Sequence, residues 1–323
     1  MARSDEGVAL GTVDAYITRW LAHTKNRVRA RTFEGYEGLL RRHVVPSIGA
    51  LPLAELGPLD LQDLYSALLD EGPGRLSSGS VLNLHLVLSQ ALGQAVRWGL
   101  LDRNPASGAQ PPRPRRAELT VVDIGLAEKL LATLAGSRYE LPAVIALATG
   151  MRRGEILGLR WADIDQDLST AHVRRSLQAT RDGLVFERPK TKRSERAVVL
   201  PLFLRPRLSR QRDDQQARCL AFGDRWHALD LVVDRADGSA VNPDTLSAGW
   251  SRHLRKVGLP RIRFHDLRHA HATLMLSKGI HPKIVSERLG HASVGITLDT
   301  YSHVLPTMQS EAAAAFDELF STA

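Results

Sequence analysis

The sequence predicts a mainly α-helical protein of two domains, with a small antiparallel β-sheet in the second domain. Apolar residues recur at the spacing of amphipathic helices through the first hundred residues and again near the C-terminus. Short runs rich in β-branched and apolar residues fall between residues 171 and 201. A segment rich in proline, glycine and arginine, residues 104–119, separates the two regions.

That segment, NPASGAQPPRPRRAEL, has no apolar periodicity and therefore indicates a linker. We expect an N-terminal tail over residues 1–9, a helical domain over 10–106, a linker over 107–119 and a second domain over 120–323. Both domains have an ordinary length for an independently folded unit. The hydrophobic fraction of 43% is enough for a buried core in each of them.

The first domain is predicted to consist of helices. The first helix begins after Thr12, a residue type that caps helix N-termini, and its apolar residues at helical spacing are Val13, Ile17, Trp20 and Leu21. The pattern continues in the stretches ARTFEGYEGLLRRHVVPSIG, DLQDLYSALLDEG and SGSVLNLHLVLSQALGQAVRWGLL.

Basic residues cluster near the end of the first helix and beyond it. A small helical domain with a basic edge suits contact with the phosphates of a DNA duplex. For each single residue, a solvated charged surface is an equally good interpretation. The candidate DNA-binding residues are Lys25, Arg27, Arg29, Arg31, Arg41 and Arg42.

The second domain is predicted to begin and end in helices, with three strand-like runs between them. The runs are AHVRRSL, LVFERP and RAVVLP, and Asp182-Gly183 is a hairpin turn signal between the first two. PKTKRSE makes the next connection. Helices are expected near 243–257, over 265–276 and over PKIVSERLG, and Pro306 should end a further helix that contains Tyr301. A last alanine-rich helix should open at Ser310-Glu311.

The bulk composition favours a polyanionic partner and excludes some kinds of site. The formal net charge is +8, which makes nucleic acid the leading candidate. The single cysteine, Cys219, excludes an internal disulfide framework and a cysteine-based zinc site. The sequence has no apolar run long enough to cross a bilayer and no apolar stretch typical of a signal peptide, so we expect a cytoplasmic protein without a membrane partner.

Four separated stretches contain residue types suited to chemistry on a phosphodiester. Arg152 begins a helix after Gly150, and Lys190 lies on a turn in PKTK. HDLRH is expected to hold His265 and Arg268 outward from a helix, and LGHASVGITLDTY contains His291 and Tyr301. Arginine forks can bind the oxygens of a phosphate. A tyrosine, whose free pKa is about 10, could attack the phosphorus if its proton were removed.

Metal binding is the competing interpretation of HDLRH. His265 and His269 are four residues apart and could hold zinc from one face of a helix. Arg268 lies on the same face and would repel a cation, and the sequence contains no HExxH motif. We therefore predict no metal, and we assign His269, His271, His281 and His303 to packing or the surface and Arg153 and Arg160 to the surface or ion pairs.

The motifs resemble those of the tyrosine recombinases, also called phage integrases. The match is T-G-M-R at 149–152, H-x-x-R at 265–268, and L-G-H at 289–291 followed by Tyr301. The resemblance implies a helical, SAM-like core-binding domain and a catalytic domain that form a C-shaped clamp on double-stranded DNA. It implies site-specific recombination through a 3′-phosphotyrosyl intermediate, without metal, cofactor or ATP.

The resemblance also implies a role for each motif residue. Arg152 and Arg268 would clamp the phosphate, His291 would donate a hydrogen bond to it, and Tyr301 would be the nucleophile. Lys190 would be the general acid, with Lys192 on the same turn as its alternative, and His265 would help to move the tyrosine proton. Apart from the resemblance, Glu155 either pairs with a neighbouring positive group as support, which we favour, or simply favours the helix.

In the family, recombination takes place in a tetramer on two DNA sites, in which the last segment docks on a neighbouring protomer. Accessory DNA-bending or directionality proteins are further candidate partners. The first helix begins by about residue 12, so we expect either the two-domain form or a chain that has lost an extra arm-binding domain. The alternatives are a type IB topoisomerase-like nicking and closing enzyme, a DNA-binding protein without catalysis and, least favoured, a zinc hydrolase.

Overall fold

The computed structural model describes residues 11–70, 74–114, 122–188, 195–301 and 308–321. The chain divides into two compact units, Met1–Glu118 and Leu119–Ala323. Each unit has a hydrophobic core of its own. Within the described residues, no helix combines the length and the apolar character that crossing a membrane would need.

The first unit is built from helices, as predicted. The helices are α1 (Val13–Thr24), α2 (Ala30–Leu39), α3 (Val45–Ile48), α4 (Pro58–Leu69) and α5 (Ser78–Arg97), with a π-helical turn over Leu40–Val44 between α2 and α3. The Thr12 hydroxyl accepts a hydrogen bond from the Ala15 amide at 3.3 Å, which confirms the predicted N-cap of α1. The four apolar residues singled out in α1 are all buried in the core of this unit.

The second unit contains nine helices among its described residues. They are α6 (Ile124–Leu134), α7 (Glu140–Thr149), α8 (Arg153–Leu157), α9 (Arg205–Phe222), α10 (Pro243–Lys256), α11 (Asp266–Ser277), α12 (Pro282–Leu289), α13 (Val294–Tyr301) and α14 (Met308–Ser321). The helices predicted near 243–257, 265–276 and 282–290 are confirmed. The last helix begins at Met308 rather than Ser310, and Pro306 lies outside the described residues.

Four strands form two small antiparallel sheets. The sequence analysis expected three strands, and this number was wrong because one of the three runs divides into two strands. Strand β1 (Thr170–Val173) pairs with β4 (Arg196–Val199), and β2 (Ser176–Thr180) pairs with β3 (Gly183–Glu187). The run AHVRRSL therefore contains parts of two strands that belong to different sheets. The predicted hairpin is confirmed, because Thr180 pairs with Gly183 across the turn.

The core of the second unit has a large part and a smaller satellite. The large part surrounds Trp250 and includes Leu267 and Ala270 of α11. The satellite cluster comprises Ala272, Leu276, Val285, Leu289 and Tyr301. It joins α11, α12 and the end of α13, so it sets the position of Tyr301 relative to the HDLRH segment.

Candidate active site

Gly150 makes the turn that places Arg152 at the start of α8. Its φ of +67° is in the left-handed region, and its amide donates to the Ala146 carbonyl to close α7. A Cβ on Gly150 would lie 2.6 Å from side-chain atoms of both His271 and Leu289. Glycine is therefore required both by the backbone angle and by the close approach of α11 and α12.

Glu155 is buried and shared by two arginines. Its Oε1 accepts from the Arg152 guanidinium and its Oε2 from the Arg152 amide, both at 2.8 Å. The Arg196 guanidinium donates to the same two oxygens at 3.2 and 2.8 Å. Burial alone would raise the pKa of Glu155, but the hydrogen bonds and charges of Arg196 and Arg152 outweigh it and lower the pKa. Glu155 thus orients Arg152 as a carboxylate.

Arg268 is held by backbone oxygens from two other motifs. Its guanidinium donates to the Gly150 carbonyl at 2.6 Å and to the Leu289 carbonyl at 2.8 Å. Burial, followed by the charge of Arg152, lowers the pKa of Arg268 to about 9, so the group stays positive at neutral pH. The expectation that α11 holds Arg268 outward was wrong, because the residue is only 3% exposed.

The Tyr301 hydroxyl contacts His269, a residue that sequence reasoning assigned to packing. The His269 Nδ1 lies 2.8 Å from the Tyr301 Oη. His265 stands edge-on to the ring of His269, with ring centroids 5.1 Å apart. Burial raises the pKa of Tyr301 to about 12, although the positive charge of Arg268 opposes the shift. The order of the two histidines relative to the tyrosine could not be deduced from spacing alone.

His291 lies on the loop between α12 and α13, beside the two arginines. Its Nδ1 is 2.8 Å from the Thr297 hydroxyl. Burial, followed by the charges of Arg268 and Arg152, lowers the pKa of His291 to about 4. The neighbouring Gly290 carbonyl accepts from the Arg152 guanidinium at 3.3 Å, which ties this loop to the arginine motif.

Two further arginines, missed by sequence reasoning, connect these segments. Arg196 donates from its Nε to the Arg288 carbonyl at 2.7 Å. The Arg288 side chain donates to the Ala148 and Val199 carbonyls at 2.8 and 2.9 Å. Strand β4, α7 and α12 are thereby joined through main-chain oxygens. Local motifs could not reveal these contacts, because the acceptors, which include the side chains of Glu155 and His271 as well as backbone oxygens, lie in segments distant in sequence.

The structure describes most, but not all, of the other predicted site residues. Lys190 and Lys192 lie outside the described residues. Among the candidate DNA contacts, Arg29 is half-buried and the others are exposed. Arg41 donates to the Asp14 carboxylate at 2.7 Å and to the Thr18 hydroxyl at 2.8 Å.

Two remaining predictions from the sequence concern ion pairing and metal binding. Arg153 pairs with Asp244 at 3.1 Å, in line with its assignment as an ion-pair residue. Within the described ranges, no cluster of three or more His, Cys, Asp or Glu side chains has the arrangement of a metal site.

Comparisons with known proteins place this arrangement in a family. The phage integrase family model matches residues 127–308, and the model of the phage integrase N-terminal SAM-like domain matches residues 12–69. The chain is 29% identical over 308 residues to a tyrosine recombinase XerC-like protein of Caldanaerobacter subterraneus subsp. tengcongensis, covering 90% of this chain and 78% of that protein. It is 27% identical over 320 residues to the ICEBs1 integrase of Bacillus subtilis, covering 98% and 85%.

Solved structures share the fold. The Tn1549 transposon integrase in complex with a circular intermediate DNA superimposes with a TM-score of 0.80 at 21% identity, covering 96% of this chain and 99% of that one. A lambda integrase dimer bound to a COC′ core site gives a TM-score of 0.69 at 16% identity, covering 89% and 94%. The family match extends over more than half of the sequence and includes every motif residue described above. The chain therefore belongs to the phage integrase family of tyrosine recombinases.

Proposed function

We propose that this protein is a site-specific DNA recombinase that cuts and rejoins duplex DNA through a 3′-phosphotyrosyl intermediate, integrating or excising a mobile element. The supporting observation is that motifs far apart in sequence meet through direct bonds. Arg268 binds the carbonyls of Gly150 and Leu289, and Arg152 binds the carbonyl of Gly290. One phosphate could therefore meet both guanidinium groups together with His291.

The two arginines stabilise the negative charge that develops on the phosphate. Arg152 is 41% exposed and lies at the N-terminus of α8, whereas Arg268 is buried. Their planar forks match the non-bridging oxygens of a phosphodiester. Both are fixed by other hydrogen bonds before DNA binds, so their charge acts on the transition state without a large rearrangement.

Tyr301 attacks the phosphorus, forming a phosphotyrosyl bond while the bond to the 5′ oxygen breaks. Lys190 gives a proton to that leaving oxygen, a role that rests on the sequence motif. The phosphotyrosyl bond conserves the energy of the broken bond, so a 5′ hydroxyl of a partner duplex reverses the step on a new strand. Neither a metal nor ATP has a task in this scheme.

Assembly on DNA belongs to the same proposal. We assign phosphate contacts to the basic residues of the first unit and self-association on DNA, as a tetramer, to the C-terminal helix α14. In α14, Phe316 and Phe320 are 64% and 73% exposed, and their rings stack on each other. Such a pair suits burial on a second protomer. Accessory DNA-bending or directionality proteins are further candidate partners, and the protein itself would act in the cytoplasm of a bacterial host.

The test uses DNA from the junctions of the element that encodes the protein. The protein should form a covalent complex with a nicked suicide substrate in the presence of EDTA, and should exchange strands between two such sites. Relaxation of supercoils without exchange would indicate a nicking and closing enzyme instead. Site binding without any covalent complex would indicate a DNA-binding protein, and loss of activity in EDTA would indicate metal-dependent chemistry.

A further inference from the structure

His269 lies against the atom that the proposed reaction must activate. Its Nδ1 is 2.8 Å from the Tyr301 Oη, and the two rings have centroids 5.7 Å apart with planes inclined by 56°. A general base has to be within about 2.6–3.2 Å of the group that loses the proton. His269 meets this condition already in the protein alone.

The surroundings of this contact favour transfer to the histidine over transfer to water. Tyr301 is 2% exposed and is enclosed by Leu276, Val285 and Leu289 of the satellite cluster. Bulk water therefore has little access to the hydroxyl. If the proton of the neutral His269 ring is on Nε2, its Nδ1 lone pair accepts the bond from the tyrosine O–H.

The family resemblance implies that His265 moves the tyrosine proton, but the ring beside the Tyr301 hydroxyl is that of His269. It lies at the N-cap of α11 and contacts the ring of His269. Burial, followed by the charges of His269 and Arg268, lowers the pKa of His265 to about 4. The contact with the Tyr301 hydroxyl is made by the ring of His269, and the choice between the two histidines rests on this contact.

Burial favours a neutral His269 ring before attack, and a nearby carboxylate favours the positive ring after it. Burial lowers the pKa of His269, and Asp266 opposes this effect more than any other neighbour. The same carboxylate would stabilise the imidazolium once it forms, as would the negative charge of a bound phosphate. The titratable and charged groups facing His269 are Asp266, Arg268, Arg263, His265, His291 and Tyr301.

We infer that His269, rather than His265, accepts the proton of Tyr301 during strand cleavage. The tyrosine oxygen forms its bond to phosphorus, the phosphorus–O5′ bond breaks, and the tyrosine proton moves to the His269 Nδ1. The leaving 5′ oxygen takes a different proton from the general acid. In the joining step His269 returns its proton to Tyr301. This inference rests on the proposed function, because it concerns one step of that reaction.

Single-turnover cleavage of the suicide substrate by His269→Ala and His269→Gln tests the inference. Glutamine can accept a hydrogen bond from Tyr301 but cannot take up the proton. Both variants should cleave about 100-fold or more slowly than the unaltered protein, with DNA affinity and melting temperature little changed. A glutamine variant that cleaves at the full rate would show that His269 only holds the tyrosine in place, and would overturn the inference.

The pH dependence gives a signature that a structural role would not produce. In the unaltered protein the cleavage rate should fall at low pH, because a protonated His269 cannot accept a proton. In His269→Ala this inflection should disappear, and the rate should rise with pH as more Tyr301 ionises. An inflection that persists unchanged in His269→Ala would assign it to another group.

Replacing Tyr301 with difluorotyrosine, a more acidic phenol, gives a rescue experiment. The residue ionises without a base, so it should restore much of the cleavage rate in the His269→Ala background. His265→Ala is the matched control on the same helix. Rescue of His265→Ala but not of His269→Ala would assign the proton to His265. If the unaltered protein itself forms no covalent complex, the proposed function fails, and this separates its failure from an error about His269.

Discussion

Tyr301 differs from phenylalanine by the single oxygen atom that the proposed chemistry uses. Tyr301→Phe should therefore abolish covalent capture of DNA and leave binding to the site nearly unchanged, because phosphate contacts supply most of the affinity. The variant also loses one hydrogen bond, to His269, which is worth about 1 kcal/mol of stability. A denaturing gel of the suicide-substrate reaction, with a mobility shift in parallel, measures both effects. A covalent complex that persists in the variant would assign the nucleophile to another residue.

Either Lys190 or Lys192 could be the general acid that gives a proton to the leaving 5′ oxygen. Lys190→Ala should slow cleavage more than Lys192→Ala, because the resemblance to tyrosine recombinases implies that Lys190 is the proton donor. A substrate with sulfur at the 5′ bridging position needs no proton on its leaving group. It should therefore restore cleavage by Lys190→Ala, measured as the rate of covalent complex formation. Restoration in Lys192→Ala instead would move the role by two residues.

His271 links the stability of the catalytic unit to pH. It is buried and its Nδ1 lies 2.7 Å from the Leu147 carbonyl. Burial is the main cause that lowers the pKa of His271 to about 4, against about 6.5 in an unfolded chain. The unfolded state then binds a proton between these two pKa values and the folded state does not, so stability falls as pH decreases from about 6.5 to about 4.

Urea unfolding at about pH 7 and about pH 5 should therefore give a lower free energy of unfolding at the acidic value. His271→Gln keeps a polar side chain but does not titrate, so it should reduce the difference between the two pH values. His227→Gln, at an exposed position, serves as the control and should leave the difference as it is. An unchanged difference in His271→Gln would mean that other histidines cause the pH effect.

The motifs singled out Arg152, Arg268, His291 and Tyr301 as candidate site residues, and the structure links their segments through direct contacts. The contacts of Arg196 and His269 could not be predicted, because each joins segments that are separate in sequence. A buried arginine and an exposed one look the same in a sequence, and only the fold shows that Arg196 binds Glu155.

At the scale of the elements, two glycines at helix ends allow a controlled comparison. Gly150 and Gly279 have φ angles of +67° and +72°. A Cβ at Gly150 would meet His271 and Leu289 at 2.6 Å, whereas a Cβ at Gly279 would meet nothing within 4 Å. Gly279→Ala should cost about 1–2 kcal/mol from the backbone angle alone, and Gly150→Ala about 1–3 kcal/mol more from overpacking.

The two glycine variants should differ in activity as well as in stability. The Gly150 carbonyl accepts a hydrogen bond from Arg268, so a shift of this turn would displace Arg268. It would also displace Arg152, which follows Gly150 by two residues. Gly150→Ala should reduce cleavage at a temperature where both variants remain folded, and Gly279→Ala should not. Urea unfolding and single-turnover cleavage measure the two effects. Equal losses in both variants would contradict a role for close packing at Gly150.

Element prediction succeeded where apolar residues repeat and failed where they do not. Helix α9 was not predicted, because its 18 residues bury little besides Leu208 and Gln215. The strand-like run AHVRRSL was assigned as one strand, but the two residues Arg174 and Arg175 separate β1 from β2. Both arginines pair with the buried Asp163, a tertiary contact that leaves no periodic signal.

For the whole molecule, α14 offers a test of assembly. Deletion of residues 309–323 should leave binding to one half-site intact, weaken cooperative binding to paired sites and abolish strand exchange. The reason is that Phe316 and Phe320 are exposed in a single chain and are expected to bury their rings on a second one. Mobility shifts with one and two half-sites, followed by a recombination assay, distinguish these steps. Full-rate recombination by the truncated protein would show that α14 does not couple assembly to catalysis.

Many of the bonds that position the site end on main-chain oxygens. Arg268 uses the carbonyls of Gly150 and Leu289, and Arg288 uses those of Ala148 and Val199. Every amino acid has a carbonyl, so replacing the side chain of Ala148 or Val199 does not remove the acceptor. The residues that surround the arginines can therefore be substituted during evolution without loss of these hydrogen bonds, provided that the backbone keeps its conformation. This tolerance fits a fold that is shared at TM-scores of 0.69 to 0.80 while sequence identity is only 16–21%.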